Sequence, residues 1–138
     1  MYTPEPMYTI SFLFRRILVP FDGSEHSKRA LEVAIDFAKR YGSKITVLYV
    51  QETPEAGKGI EDYVRRLAER SGVELELKIR KPNPYSSVAN EVIREVTEGG
   101  YDIVIMGARG NTLNEDLLIG SVALALIVNA PVSVMVVR

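Results

Sequence analysis

Asp102-Ile-Val-Ile-Met106 runs straight into Gly107-Ala-Arg-Gly110. From Ile103 to Ala108 no side chain is polar, so as a strand this stretch is apolar on both faces. Such a strand belongs inside a sheet that is covered above and below, the usual state of parallel sheets. Working outward, the rest of the chain supplies what a covered parallel sheet needs. Short β-branched runs at Ile17-Leu-Val-Pro-Phe21, Lys44–Val50, Val73–Ile79 and Val132–Val137 alternate with longer stretches at helical spacing. The first helical stripe is Ala30, Leu31, Ala34, Phe37, Ala38 and Tyr41, stopped by Gly42. The second is Ile60, Tyr63, Val64, Leu67 and Ala68 before Gly72, and the third is Val88, Ala89, Val92, Ile93 and Val96 before Gly99-Gly100. The last helix is expected to form within Leu117–Val128. Strict alternation in Val73–Ile79 marks a strand with one wet face or at a sheet edge. Right-handed crossovers between such strands give a single doubly wound α/β domain. Its expected core is a five-stranded parallel sheet of order 3-2-1-4-5 with helices on both faces.

In that order the strand sequence reverses between strands one and four, and ligands of open α/β sheets bind at such a reversal, beyond the carboxyl ends of the strands. Strand one delivers Pro20-Phe-Asp-Gly-Ser24 to this edge and strand four delivers Met106–Gly110. Beyond Gly110, after nine intervening residues, comes Gly120-Ser121. Glycines permit positive φ and close approach, so their amides can converge on an anion. Ser121 opens a helix whose unpaired N–H groups and positive dipole end favour phosphate.

Composition narrows the field. The chain has 138 residues, 46% hydrophobic and 25% charged, with a net charge of -1. That suits one domain, expected over 15–138 behind an N-terminal extension at 1–14, and it carries no electrostatic footprint for nucleic acid. With no cysteine, disulfides and thiolate chemistry are excluded, which fits a cytoplasmic setting. In Tyr8–Phe14 the apolar run precedes Arg15 and Arg16 rather than following a positive segment, and it is far short of a membrane span. Neither a signal peptide nor a membrane partner is expected.

Three segments together resemble the universal stress protein family across residues 15–138. They are Val19-Pro-Phe-Asp-Gly-Ser-Glu25, the spaced glycines ending in Gly120-Ser121, and Ala130-Pro-Val-Ser-Val-Met-Val-Val137. Within that family the glycine signature is characteristic of ATP-binding members. The resemblance therefore implies an ATP-binding regulatory protein, with Mg²⁺ accompanying the nucleotide and a homodimer formed through strand 132–137. It places Asp22 and the backbone around Pro20 and Phe21 at the nucleoside end, and gives Val50 a backbone contact to adenine. It sets Met106 and Gly107 against ribose and base, and turns Arg109, Gly110, Gly120, Ser121 and the Val122 amide toward the phosphates. Departures from the family pattern are Pro82 in place of a glycine, Ser133 in place of a proline, and a short loop after strand two.

Other residues carry readings of their own. Asp22 could equally cap the first helix, with Ser24 or Ser27 sharing that role. His26, the only histidine, reads as a solvated first-turn residue, and Glu115 and Asp116 as a loop tip that could approach Mg²⁺. Val122–Val128 is apolar at every position, so its outer face is covered either within the monomer or by a further interface on helix 121–129. No catalytic or metal-ligating residue is assigned, because no group is placed to position a water and take its proton. Two rivals stand beside the binding reading: a hydrolase or adenylyl-transferring enzyme on the same fold, and a nucleotide-free dimeric scaffold. The related pyrophosphatase loop Ser-Gly-Gly-x-Asp-Ser differs from Asp22-Gly-Ser-Glu-His-Ser27, which counts against the first. The complete glycine motif counts against the second.

Overall fold

The computed structural model describes residues 12–54, 57–110 and 119–138. Its strands are β1 (Arg16–Pro20), β2 (Lys44–Val50), β3 (Leu75–Arg80), β4 (Ile103–Gly107) and β5 (Ser133–Val137). Its helices are α1 (Glu25–Tyr41), α2 (Ile60–Ser71), α3 (Val88–Gly99) and α4 (Ser121–Asn129). All pairings are parallel and the sheet order is β3-β2-β1-β4-β5, the order expected from sequence. β3 starts at Leu75 rather than Val73. The last helix starts at Ser121, while Leu117 and Leu118 fall outside the described residues.

Strand periodicity divides the core in two. Ile17, Val19, Ile45, Val47, Ile103 and Ile105 meet Ala30, Leu31 and Ala34 of α1 and Val64 and Leu67 of α2. On the other face Leu18, Leu48, Val50, Val104 and Met106 meet Val92 and Val96 of α3 and Ala123 and Leu126 of α4. Every residue of β4 is buried, as its composition demanded. Each such aliphatic side chain contributes roughly 1.5–3 kcal/mol by leaving water.

Local signals start and stop α1. Ser24 takes the N-cap position and its hydroxyl accepts from the Ser27 amide at 3.3 Å. Gly42, at φ 71°, returns its N–H to the Ala38 carbonyl at 2.9 Å. Ahead of β1, Phe14 packs its ring 4.9 Å from Phe37 and 5.4 Å from Tyr41, centroid to centroid.

β3 lies at one edge of the sheet, and its polar face is not simply wet. Lys78 and Arg80 reach two carboxylates of α3, Glu91 and Glu95, which are only 3% and 1% exposed. Arg80 Nη1 donates to Glu95 Oε1 at 2.7 Å, and Arg80 Nε lies 3.3 Å from Glu91 Oε1. Glu95 Oε2 also accepts from Lys78 Nζ at 3.0 Å and from the Tyr101 hydroxyl at 2.8 Å. Ser86 Oγ donates to Glu91 Oε2 at 2.5 Å. Ionised carboxylates survive this burial because every oxygen is paired.

At the other edge, residues 119–137 contain no charged side chain. α4 buries Ala123 and Leu126, but leaves Leu124 55%, Ile127 48% and Val128 71% exposed. Among the described residues nothing covers this outer face of the helix. Among the described residues no helix is long and apolar enough to cross a membrane.

Candidate functional site

β1 and β4 are neighbours, and the segments 21–24 and 108–110 that leave their carboxyl ends precede helices on opposite faces of the sheet. A cavity of about 500 Å³ opens between them. Pro20, Phe21, Asp22, Val50, Met106, Gly107, Arg109, Gly110, Gly120, Ser121 and Val122 all line it. The eleven residues that the resemblance assigns to a nucleotide are thus brought to the walls of a single space. Its volume falls within the roughly 300–1,000 Å³ of small-molecule sites.

The two ends of the cavity differ chemically. One end is an apolar slot of Leu48, Val50, Val88, Val92 and Met106. The other is framed by Arg109, Gly110 and the first turn of α4. Gly120 is the N-cap of α4 and among the described residues no side chain caps the helix. Its carbonyl takes the first helical bond, from Leu124 N at 3.0 Å. The amides of Ser121, Val122 and Ala123 consequently have no acceptor within the helix and stand at the cavity wall, where an anion is favoured. The Gly120 amide itself is spent on the Ala108 carbonyl at 2.6 Å, which fixes the helix start against the end of β4.

The three glycines stand in three different settings, and none takes positive φ. This corrects the expectation that left-handed backbone builds the nest. At Gly107 an added Cβ would lie 2.7 Å from the His26 carbonyl carbon and 2.9 Å from its oxygen, so this glycine lets the first turn of α1 rest on β4. At Gly110 a Cβ would lie 2.5 Å from Asp22 Oδ2. At Gly120 the nearest atom would be 3.5 Å away, an ordinary contact, and φ -73° with ψ 163° suits any residue. Gly120 is therefore not required by packing or backbone geometry.

Asp22 is not the helix cap, since Ser24 holds that position. Instead its Oδ1 accepts from the Ser24 amide at 2.9 Å, while Oδ2 faces the Gly110 backbone across the cavity. His26 departs from the solvated reading: it is half-buried, and its Nδ1 is enclosed without a hydrogen-bond partner among the described residues. Glu115 and Asp116 lie outside the described residues.

Seven lining residues were not singled out from sequence: Leu48, Tyr49, Glu52, Val88, Val92, Ala108 and Ala123. Leu48 shares the face of Val50 by strand alternation, and Val88 and Val92 are one helical turn apart, signals that were present. Tyr49 and Glu52 needed the loop geometry. The Tyr49 ring packs beneath Gly57, where any Cβ would collide with it. Burial, then the charges of Glu52 and Asp22, push the Tyr49 hydroxyl above its ordinary pKa, so it stays a protonated donor at the cavity.

Comparison with known proteins adds independent findings. The profile described as "Universal stress protein family" matches residues 13–138. Universal stress protein MJ0531 of Methanocaldococcus jannaschii is 29% identical over 145 residues, taking in 91% of this chain and 83% of that protein. Universal stress protein UspA from Lactobacillus plantarum shares the fold with a TM-score of 0.78 at 22% identity, over 91% of this chain and 98% of that one. The universal stress protein from Archaeoglobus fulgidus in complex with dAMP is similar with a TM-score of 0.70 at 18% identity, over 91% and 99%.

Proposed function

The chain belongs to the universal stress protein family, and on that premise we propose that it is a cytoplasmic ATP-binding regulatory module of the stress response. One observation carries the reading: the eleven residues of the expected nucleotide site line one cavity with an apolar slot at one end and helix-start amides at the other. In this reading the base enters the slot of Leu48, Val50, Val88, Val92 and Met106. The ribose lies near Asp22, and the phosphates reach Arg109, Gly110 and the Ser121 and Val122 amides. Support for a nucleotide comes also from the Archaeoglobus protein, whose similar fold holds dAMP.

Mg²⁺ would arrive with the nucleotide. Among the described residues no three His, Asp or Glu side chains converge, and Mg²⁺ readily takes phosphate oxygens and water in place of a protein cage. The bound ATP is held rather than turned over, and its presence biases a homodimer built through β5 and the exposed apolar side of α4.

Calorimetry with ATP and Mg²⁺ tests this. Gly120→Val is the informative variant, because a Cβ at this position meets only ordinary contacts at the cavity wall and the fold should survive. Loss of binding in a folded Gly120→Val protein supports the site, and undiminished binding sinks it. Product analysis after incubation with ATP tests the regulatory reading, since rapid release of phosphate or pyrophosphate would make the protein an enzyme.

A further inference from the structure

We propose that Arg80 is the positioning residue for the nucleobase end of the cavity, setting the separation of its two walls. The inference rests on the nucleotide reading above and names a residue that the glycine motif does not include.

Arg80 touches both walls. Through its backbone it is the register partner of Val50 and accepts the Gln51 N–H at 2.8 Å, which fixes where β2 ends. Through its guanidinium it reaches Glu95 at 2.7 Å and Glu91 at 3.3 Å on α3. Val88 and Val92 flank Glu91 on that helix and line the cavity opposite Val50 and Leu48. Glu91 in turn takes the Ser86 hydroxyl at 2.5 Å and lies 3.5 Å from Arg94, which holds the segment entering α3. Lys78 also contacts Glu95, but Arg80 alone among the described residues bridges both carboxylates.

Chemistry makes this contact a spacer. A guanidinium is a rigid fork whose donors fix the position of two acceptors, whereas an apolar contact tolerates sliding. Removing the fork leaves two buried carboxylates short of a partner, so α3 must shift to let water in. The slot would widen as Val88 and Val92 move with it. The bonds from Arg80 to Glu91 and Glu95 run between β3 and α3, whereas at the phosphate end Gly110 lies in the loop after β4 and Ser121 and Val122 open α4. A change at Arg80 should therefore be felt by ligands that have a base and ignored by those that do not.

The test compares ATP with inorganic tripolyphosphate, both with Mg²⁺, by calorimetry on the full chain. Arg80→Met should weaken ATP by about tenfold or more and leave tripolyphosphate within about twofold, and Arg80→Lys should recover part of the loss. If Arg80→Met does not fold, Glu91→Gln, which keeps the shape of the network, is read by the same ratio. Parallel weakening of both ligands, or no change in either, overturns the proposal while leaving the nucleotide site standing. Failure of the unaltered protein to bind ATP removes both.

Discussion

Asp22 Oδ2 occupies the space that a side chain at Gly110 would need, with only 2.5 Å to a Cβ built there. The acidic residue of the first loop and the second glycine of the motif are thus in contact across the cavity, though 88 positions separate them in sequence. The obstacle at Gly110 is the end of a side chain, whereas at Gly107 it is backbone.

That difference predicts how the three glycines separate under substitution. Gly107→Ala should cost roughly 1–3 kcal/mol in urea unfolding, because the first turn of α1 cannot yield without moving. Gly120→Ala should stay within about 0.5 kcal/mol. Gly110→Ala should fall between them by turning Asp22 aside. Equal stabilities for Ala at 107 and 120 would contradict the packing described.

Acid should loosen the wall formed by α3. The Ser86 hydroxyl, against the cost of burial and with Arg94 and Arg80, holds Glu91 below the ordinary carboxylate range. For Glu95, burial alone would raise the pKa, but Lys78, Tyr101 and Arg80 outweigh it and the net direction is also down. Both folded values lie below their unfolded ones, so the stabilisation is complete above the unfolded value of about 4.3 and is lost as pH falls through the folded values. Urea midpoints should drop as pH falls below about 4.3, and drop less in Glu91→Gln.

Alkali acts on the same network from another residue. Burial first, and then the bond to Glu95, push Tyr101 from 10.0 up to about 12. A raised folded pKa means its contribution is intact below 10 and disappears as pH rises toward 12. Spectrophotometric titration of tyrosinate should show a late component, to which Tyr49 also contributes, that Tyr101→Phe reduces.

Leu124 and Leu126 should give opposite results. Leu126 is fully buried, and Leu126→Ala should cost roughly 2–5 kcal/mol. Leu124 is 55% exposed, so Leu124→Glu should leave the fold intact while reducing the size seen in gel filtration. A folded Leu124→Glu protein that elutes unchanged would show that this side of α4 is not the dimer contact.

The layout of the sheet could be read from sequence because each rule involved is local. Val104 and Ile105 announce a doubly covered strand, and Gly42 and Gly72 announce helix ends. The site was legible for a related reason: a known strand order places the ends of β1 and β4 side by side. What escaped was set by pairings between distant segments. Glu91 and Glu95 read as polar neighbours of an apolar stripe, and nothing nearby shows that Arg80, 11 and 15 residues earlier, buries them. The φ of Gly110 and the enclosure of His26 likewise depend on how α1 settles on β4.

Heat bears differently on the two attachments of α3. The penalty for keeping Glu91 and Glu95 out of water shrinks as temperature rises, because ion hydration becomes less favourable, while apolar attraction per unit area levels off. The salt-linked side of this helix, facing β3, should therefore outlast its greasy side on warming. A protein fastened in this way keeps one wall of its cavity in place while the remainder of the core begins to soften.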